Sequence, residues 1–112
     1  MLIDKSIAEH YFWGDNCEGW RVIKSELLSV IDEEMPPQTQ EKLHYHEKAL
    51  QIFHIKEGTA KFEIDGKVFL AQANQSVIIN PGLVHRISNE TDNRLKFLVI
   101  SQPSTAGDRI EI

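Results

Sequence analysis

The apolar residues of this 112-residue chain fall in short runs of strand length, separated by turn residues, and no segment keeps a helical period for three turns. Such spacing predicts a sandwich or barrel of short strands. Strands are expected near 20–24, 27–32, 43–46, 50–57, 59–64, 67–71, 76–79, 83–88 and 94–101. Asp65-Gly66 stands between two alternating segments, the strongest two-residue hairpin signal in the chain. Asn80-Pro81-Gly82 forms a second turn, and Pro36-Pro37 opens a polar connection that leads toward a pair of histidines.

Residues 61–65 alternate apolar with polar, which gives one buried and one wet face. Residues 97–100, Phe-Leu-Val-Ile, do not alternate and read as a strand covered on both faces. Residues 4–13 read as a short helical or irregular segment. The polar tail 104–112 is either partly mobile or paired with a neighbouring element. Phe53, Phe62, Phe69 and Phe97 are expected to fill the core. Trp13 and Trp20 cap an open end or pack between subunits.

No repeat, linker or low-complexity tract divides the chain, so one domain is expected over 1–112. The lone Cys17 cannot form an internal disulfide and reads as a buried thiol. The first ten residues lack the apolar run of a signal peptide or membrane span, and a cytoplasmic location is expected. The formal charge is −5 with both signs mixed. Without a Lys/Arg cluster or a basic amphipathic helix, neither nucleic-acid binding nor membrane binding is expected.

The chemistry concentrates in His44-Tyr45-His46. Alternate residues of a strand share a face, so the two imidazoles point the same way. That arrangement suits two nitrogen ligands on one metal, and equally two histidines on a wet face. Gln51 follows His46 by five residues and Gly58 follows seven later. Downstream, Pro81-Gly82 precedes His85 by three residues from the glycine, and Asn89 follows four later.

Over about residues 40–90 these spacings resemble the two motifs of the cupin superfamily, and the chain is similar to a small single-domain cupin. His44, His46 and Gly58 match the first motif, with Gln51 where the family has a glutamate. Gly82, His85 and Asn89 match the second, with Pro81 one place late and Asn74 in place of the usual opening glycine. The resemblance implies an all-β jelly-roll barrel preceded by a short helical or irregular segment. It implies one divalent transition metal (zinc, iron, nickel, manganese or copper) on His44, His46 and His85, with Gln51 at the position of the fourth ligand. An amide cancels none of the ion's charge, so a more positive and more open centre than the family's is expected, favouring an anionic ligand.

The activity implied is that of a metal-dependent enzyme, a dioxygenase or an isomerase or epimerase, acting on a small polar molecule, an anionic one included. The alternative is a non-catalytic cupin that captures a sugar-like ligand. A homodimer is the partner the resemblance implies. Among the remaining candidates, His54 should face away from Gln51, and His10 has no assigned role. Glu41 and Glu47, which flank the histidine pair, are either an acid or base at the pocket mouth or solvated charges. Asp108-Arg109 either close the barrel or form a surface ion pair.

Overall fold

The structure, a computed structural model, describes residues 1–112. Its elements are β1 (Glu9–Trp13), β2 (Cys17–Lys24), β3 (Ser29–Met35), β4 (Thr39–Gln40), β5 (His44–His46), β6 (Leu50–Glu57), β7 (Thr59–Ile64), β8 (Lys67–Gln72), β9 (Ser76–Ile79), β10 (His85–Asn89), β11 (Leu95–Gln102) and β12 (Arg109–Glu111). No helix forms. The Ile7 and Ala8 N–H groups close a single turn onto the Asp4 carbonyl, at 3.1 and 2.9 Å. Residues 9–13 are then a strand rather than the helical or irregular stretch expected. From His10 on burial alternates, with Tyr11 and Trp13 turned inward and His10 and Phe12 in solvent.

Two antiparallel sheets face each other as a jelly-roll barrel. One has the order β1-β2-β3-β11-β6-β9; the other runs β12-β5-β10-β7-β8, with β4 also paired to β10. From β3 onward the chain passes repeatedly from one sheet to the other, because each strand carries one apolar face that only the opposite sheet can cover. The inward residues of β6 are Gln51, Phe53 and Ile55, and those of β11 are Leu95, Phe97, Val99 and Ser101. Leu98 and Ile100 are half-buried, so burial alternates along β11 although its sequence does not.

Phe53, Phe62 and Phe97 meet in the core, with ring centroids of Phe53 and Phe62 5.4 Å apart in an edge-to-face arrangement. Phe69 departs from expectation. It lies on edge strand β8 directly opposite Phe62, on the same face as buried Ala71, yet at the sheet edge it stays 40% exposed, its ring stacked on that of Phe62. The Asp65-Gly66 turn has φ of 50° and 78°, the double left-handed geometry that matches strand twist. Asn74, standing where the family has a glycine, is also left-handed at φ 72°.

Asn89 ties the barrel together at the far end of β10. It is fully buried, and its Nδ2 donates to the carbonyls of Met35, Pro36 and Asn93 at 3.0, 3.2 and 2.8 Å. Its Oδ1 accepts from the Thr91 N–H and hydroxyl. No other side chain of this size supplies both donors and acceptor there. Asn89→Ala strands those buried carbonyls and should cost about 1–3 kcal/mol in urea unfolding; an unchanged midpoint would contradict this role.

Candidate metal centre

The crossing of the chain between sheets places β5 beside β10, with His44 directly opposite His85. His46 lies two residues along on the same face, so all three imidazoles enter the space between the sheets. They are 2%, 5% and 1% exposed for His44, His46 and His85. Ring centroids lie 4.3 Å apart for His44 and His85, 5.1 Å for His44 and His46, and 5.8 Å for His46 and His85. One ligand atom from each lies within 4.8 Å of the others, a set that can hold a metal ion.

The tautomers suit that use. His44 Nδ1 lies 2.8 Å from the Lys42 carbonyl, and His85 Nδ1 the same distance from the Leu83 carbonyl. A carbonyl only accepts, so each Nδ1 carries the proton and each Nε2 a lone pair, the usual preparation of a metal-binding imidazole. His85 Nε2 and His46 Nδ1 are buried with no hydrogen-bond partner. Burial pushes the pKa of all three down, that of His44 to about 3. They are therefore neutral at ordinary pH, and protons do not compete for their lone pairs.

Gln51 reaches the same cavity from β6, in the facing sheet. Its Nε2 donates to Ser101 Oγ at 3.1 Å, which fixes the amide, while its Oε1 is buried without a partner. The donor set thus has three imidazole nitrogens and one amide oxygen lining one space, and its unsatisfied atoms fit a borderline transition-metal ion.

The remaining walls add charged side chains of both signs to the site. The cavity, about 280 Å³, also admits Glu33 and Glu41, together with Arg21 and Arg109. Glu41 is not a solvated charge: its side chain is 11% exposed. One of its oxygens accepts the Ile87 N–H at 3.1 Å, and the other lies 3.7 Å from the Arg109 guanidinium. Glu33 accepts from the Tyr11 hydroxyl at 3.1 Å. Burial raises the Glu33 carboxyl to about 8, with the nearby Glu41 charge adding to the effect, and burial raises Glu41 to about 7. Glu47, by contrast, stays exposed.

Asp108 and Arg109 do not pair with each other. Asp108 accepts the successive backbone N–H groups of Glu47, Lys48 and Ala49 at 3.0, 3.1 and 3.1 Å, clamping the β5–β6 loop. Burial works against its ionisation, yet these three bonds hold the carboxyl below its ordinary range. The clamp lets β12 pair with β5 along the histidine strand, Arg109 opposite His46. The tail therefore builds a wall of the cavity.

Trp13 lines the cavity, whereas Trp20 packs under the Lys5 ammonium on the surface. His54 bonds Ser76 Oγ on the outer face, and His10 pairs with Glu18. Cys17 is fully buried. Sequence reading missed Tyr11, Arg21 and Glu33. The signal for Glu33 was present, since Ile31, Glu33 and Met35 share one face of β3, but the strand was ended at residue 32.

The raised carboxyl pKa values have a definite sign. Between the unfolded value of 4.5 and about 8, the native state binds more protons than the unfolded state, so stability falls as pH rises. The buried histidines act oppositely, but only below 6.5, their unfolded value. Chelator-treated protein should therefore lose stability between pH 6.5 and 8. Glu33→Gln should flatten much of that fall in urea titrations, and a slope equal to wild type would contradict the burial of this carboxyl.

Comparison with known proteins agrees with this architecture. A family model described as a cupin domain matches residues 31–101. An uncharacterized HTH-type transcriptional regulator of Escherichia coli is 26% identical over 70 residues, a match covering 62% of this chain and only 23% of that protein's length. A predicted oxalate decarboxylase from Thermotoga maritima superposes with TM-score 0.85 at 20% identity, covering 93% of this chain and all of that one. A cupin-superfamily sugar phosphate isomerase from Silicibacter pomeroyi gives TM-score 0.81 at 19% identity, covering 93% and 76%. At these identities the structural likeness establishes the fold alone. With the family match spanning most of the barrel, this chain belongs to the cupin family.

Proposed function

We propose that this protein is a metal-dependent enzyme acting on a small polar, anionic molecule, with His44, His46 and His85 holding one divalent transition metal and Gln51 Oε1 beside them. The observation that carries this reading is that three of the four buried side-chain polar atoms without partners are His46 Nδ1, His85 Nε2 and Gln51 Oε1, the fourth being Arg21 Nε. A buried acceptor left unpaired costs about 1–3 kcal/mol, and one shared cation would satisfy all three. The lowered histidine pKa values support the same reading, because they keep the ligands unprotonated.

A metal held there would polarise a carbonyl or hydroxyl of the ligand as a Lewis acid. The rest of the work falls to the chain itself. Arg109 and Arg21 give the cavity two fixed positive charges that suit a carboxylate or phosphate on the substrate. Phe53, Val99 and Ile31 line its apolar side and exclude water. The volume of about 280 Å³ restricts occupants to small molecules.

Elemental analysis of protein purified without added metal should find about one transition-metal ion per chain, and His44→Ala should lose most of it. Gln51→Glu should raise metal affinity, by about tenfold or more, through the added carboxylate charge. Wild-type protein that takes up no zinc, iron, nickel, manganese or copper would refute the proposal. Metal uptake without turnover of any small oxo or hydroxy acid would favour the capture of a ligand over catalysis.

A further inference from the structure

Tyr11, Gly19 and Glu33 form a row across three strands that no part of the histidine centre requires. Gly19 is paired with Tyr11 on one side and with Glu33 on the other. A Cβ at Gly19 would come within 2.4–2.7 Å of the Tyr11 ring and hydroxyl. The missing side chain therefore lets the phenol lie across β2 and bring its hydroxyl to 3.1 Å from Glu33 Oε2. The Arg21 guanidinium lies over that ring, 4.2 Å from its centroid. Three residues thus cooperate to hold one carboxyl at the wall of a cavity that His44 and His46 also line.

The two carboxyls in the cavity differ in anchorage. Glu41 is tied by the Ile87 N–H and faces Arg109, so its charge is balanced where it stands. Glu33 has only the Tyr11 hydroxyl, which donates to its Oε2 and so favours the ionised form. Pairs of carboxyls whose surroundings differ in this way divide the acid and base roles of a site. The charged groups facing Glu33 are Arg21 from β2, Glu41 from the segment before β5 and Arg109 from β12. Burial and Glu41 outweigh the two arginines and keep its proton exchangeable near neutral pH, at about 8.

We propose that Glu33 is the group that moves a proton on and off carbon in this site, with Tyr11 as its positioning residue, and that the substrate is a small oxo acid with hydrogen on the carbon next to its carbonyl. The step is an enolisation. The Glu33 carboxylate takes the α-hydrogen as a proton, the C–H electron pair becomes the C=C bond, and the carbonyl π pair moves to oxygen. The reverse flow returns the proton from Glu33 to carbon, with no net oxidation. The carboxylate of the substrate faces Arg109. This inference rests on the proposed metal-dependent function and assigns its reaction to proton transfer rather than oxygen chemistry.

The test uses the protein with its metal, pyruvate and 2-oxobutyrate as probes, and hydroxyacetone as the uncharged counterpart, all in D2O. Proton NMR should show deuterium entering C3 of the two acids well above the buffer rate and faster than into hydroxyacetone. Glu33→Gln should slow this exchange about a hundredfold or more while metal content stays at the wild-type level. The role of Tyr11 is read without turnover, from the Glu33 carboxyl carbon shift in chelator-treated protein. It should titrate near 8 in wild type and move upward in Tyr11→Phe, which loses a bond to the ionised form. Gly19→Ala should reproduce that upward movement by displacing the ring.

Metal-loaded wild type that exchanges neither acid would overturn the assignment and leave the metal site standing, as would Glu33→Gln exchanging at the wild-type rate. A Glu33 titration near 4.5, or one unmoved in Tyr11→Phe, would remove Tyr11 from its role. Protein that binds no metal would instead bring down the functional proposal beneath it.

Discussion

His44 lies opposite His85 across the β5–β10 pairing, and the consequences of that register run through the molecule. Side chains alternate along a strand, so a slip of one residue would turn His44 and His46 to the outer face and bring Tyr45 inside. Both ends of the pairing are pinned. The Asp108 clamp holds the loop that leaves β5, and Asn89 locks the far end of β10 to the β3 exit and to the 89–93 loop. Between these anchors the imidazoles enter a space with little water, which makes them neutral and leaves their lone pairs exposed to whatever occupies it.

The same dehydration acts on every other polar group around the cavity, with different outcomes. Glu41 receives a backbone N–H and a guanidinium, Gln51 turns its amide nitrogen to Ser101, and Glu33 leans on a phenol. What is left over is a small set of acceptors on one side and an exchangeable proton on the other. Burying ionisable groups costs stability, and their persistence in the middle of a small barrel is the mark of a site rather than of a scaffold. The C-terminal strand belongs to this arrangement, since Arg109 and Thr105 line the cavity only while Asp108 holds the tail against β5.

Much of this was legible in the sequence because it is local. The His44-Tyr45-His46 alternation, the Asp65-Gly66 turn and the spacing from Pro81 to Asn89 carry their geometry within a few residues. Glu33 was hidden by its neighbours: Asp32, Glu33 and Glu34 look like a strand's solvated end, yet Glu33 points inward while Asp32 and Glu34 face away. Tyr11 was hidden because its five-residue strand is stable only as the partner of β2, a tertiary fact that propensity does not contain. Phe69 shows the converse limit: it shares the inner face with Phe62 and Ala71, but alternation does not tell how fully that face is covered at a sheet edge. The rest of the electrostatics around Gln51 was hidden for a related reason: Arg21, Glu33, Glu41 and Arg109 come to the cavity from separate parts of the chain.

The central claim is that three imidazoles from β5 and β10 hold one metal ion between the sheets. Anomalous scattering from crystals grown with the native metal, recorded on both sides of its absorption edge, tests it most directly. The account predicts one peak per chain inside the cavity, about 2.0–2.2 Å from a nitrogen of each of His44, His46 and His85. A cavity without a peak in metal-replete crystals, or a peak bound by surface residues alone, would contradict it.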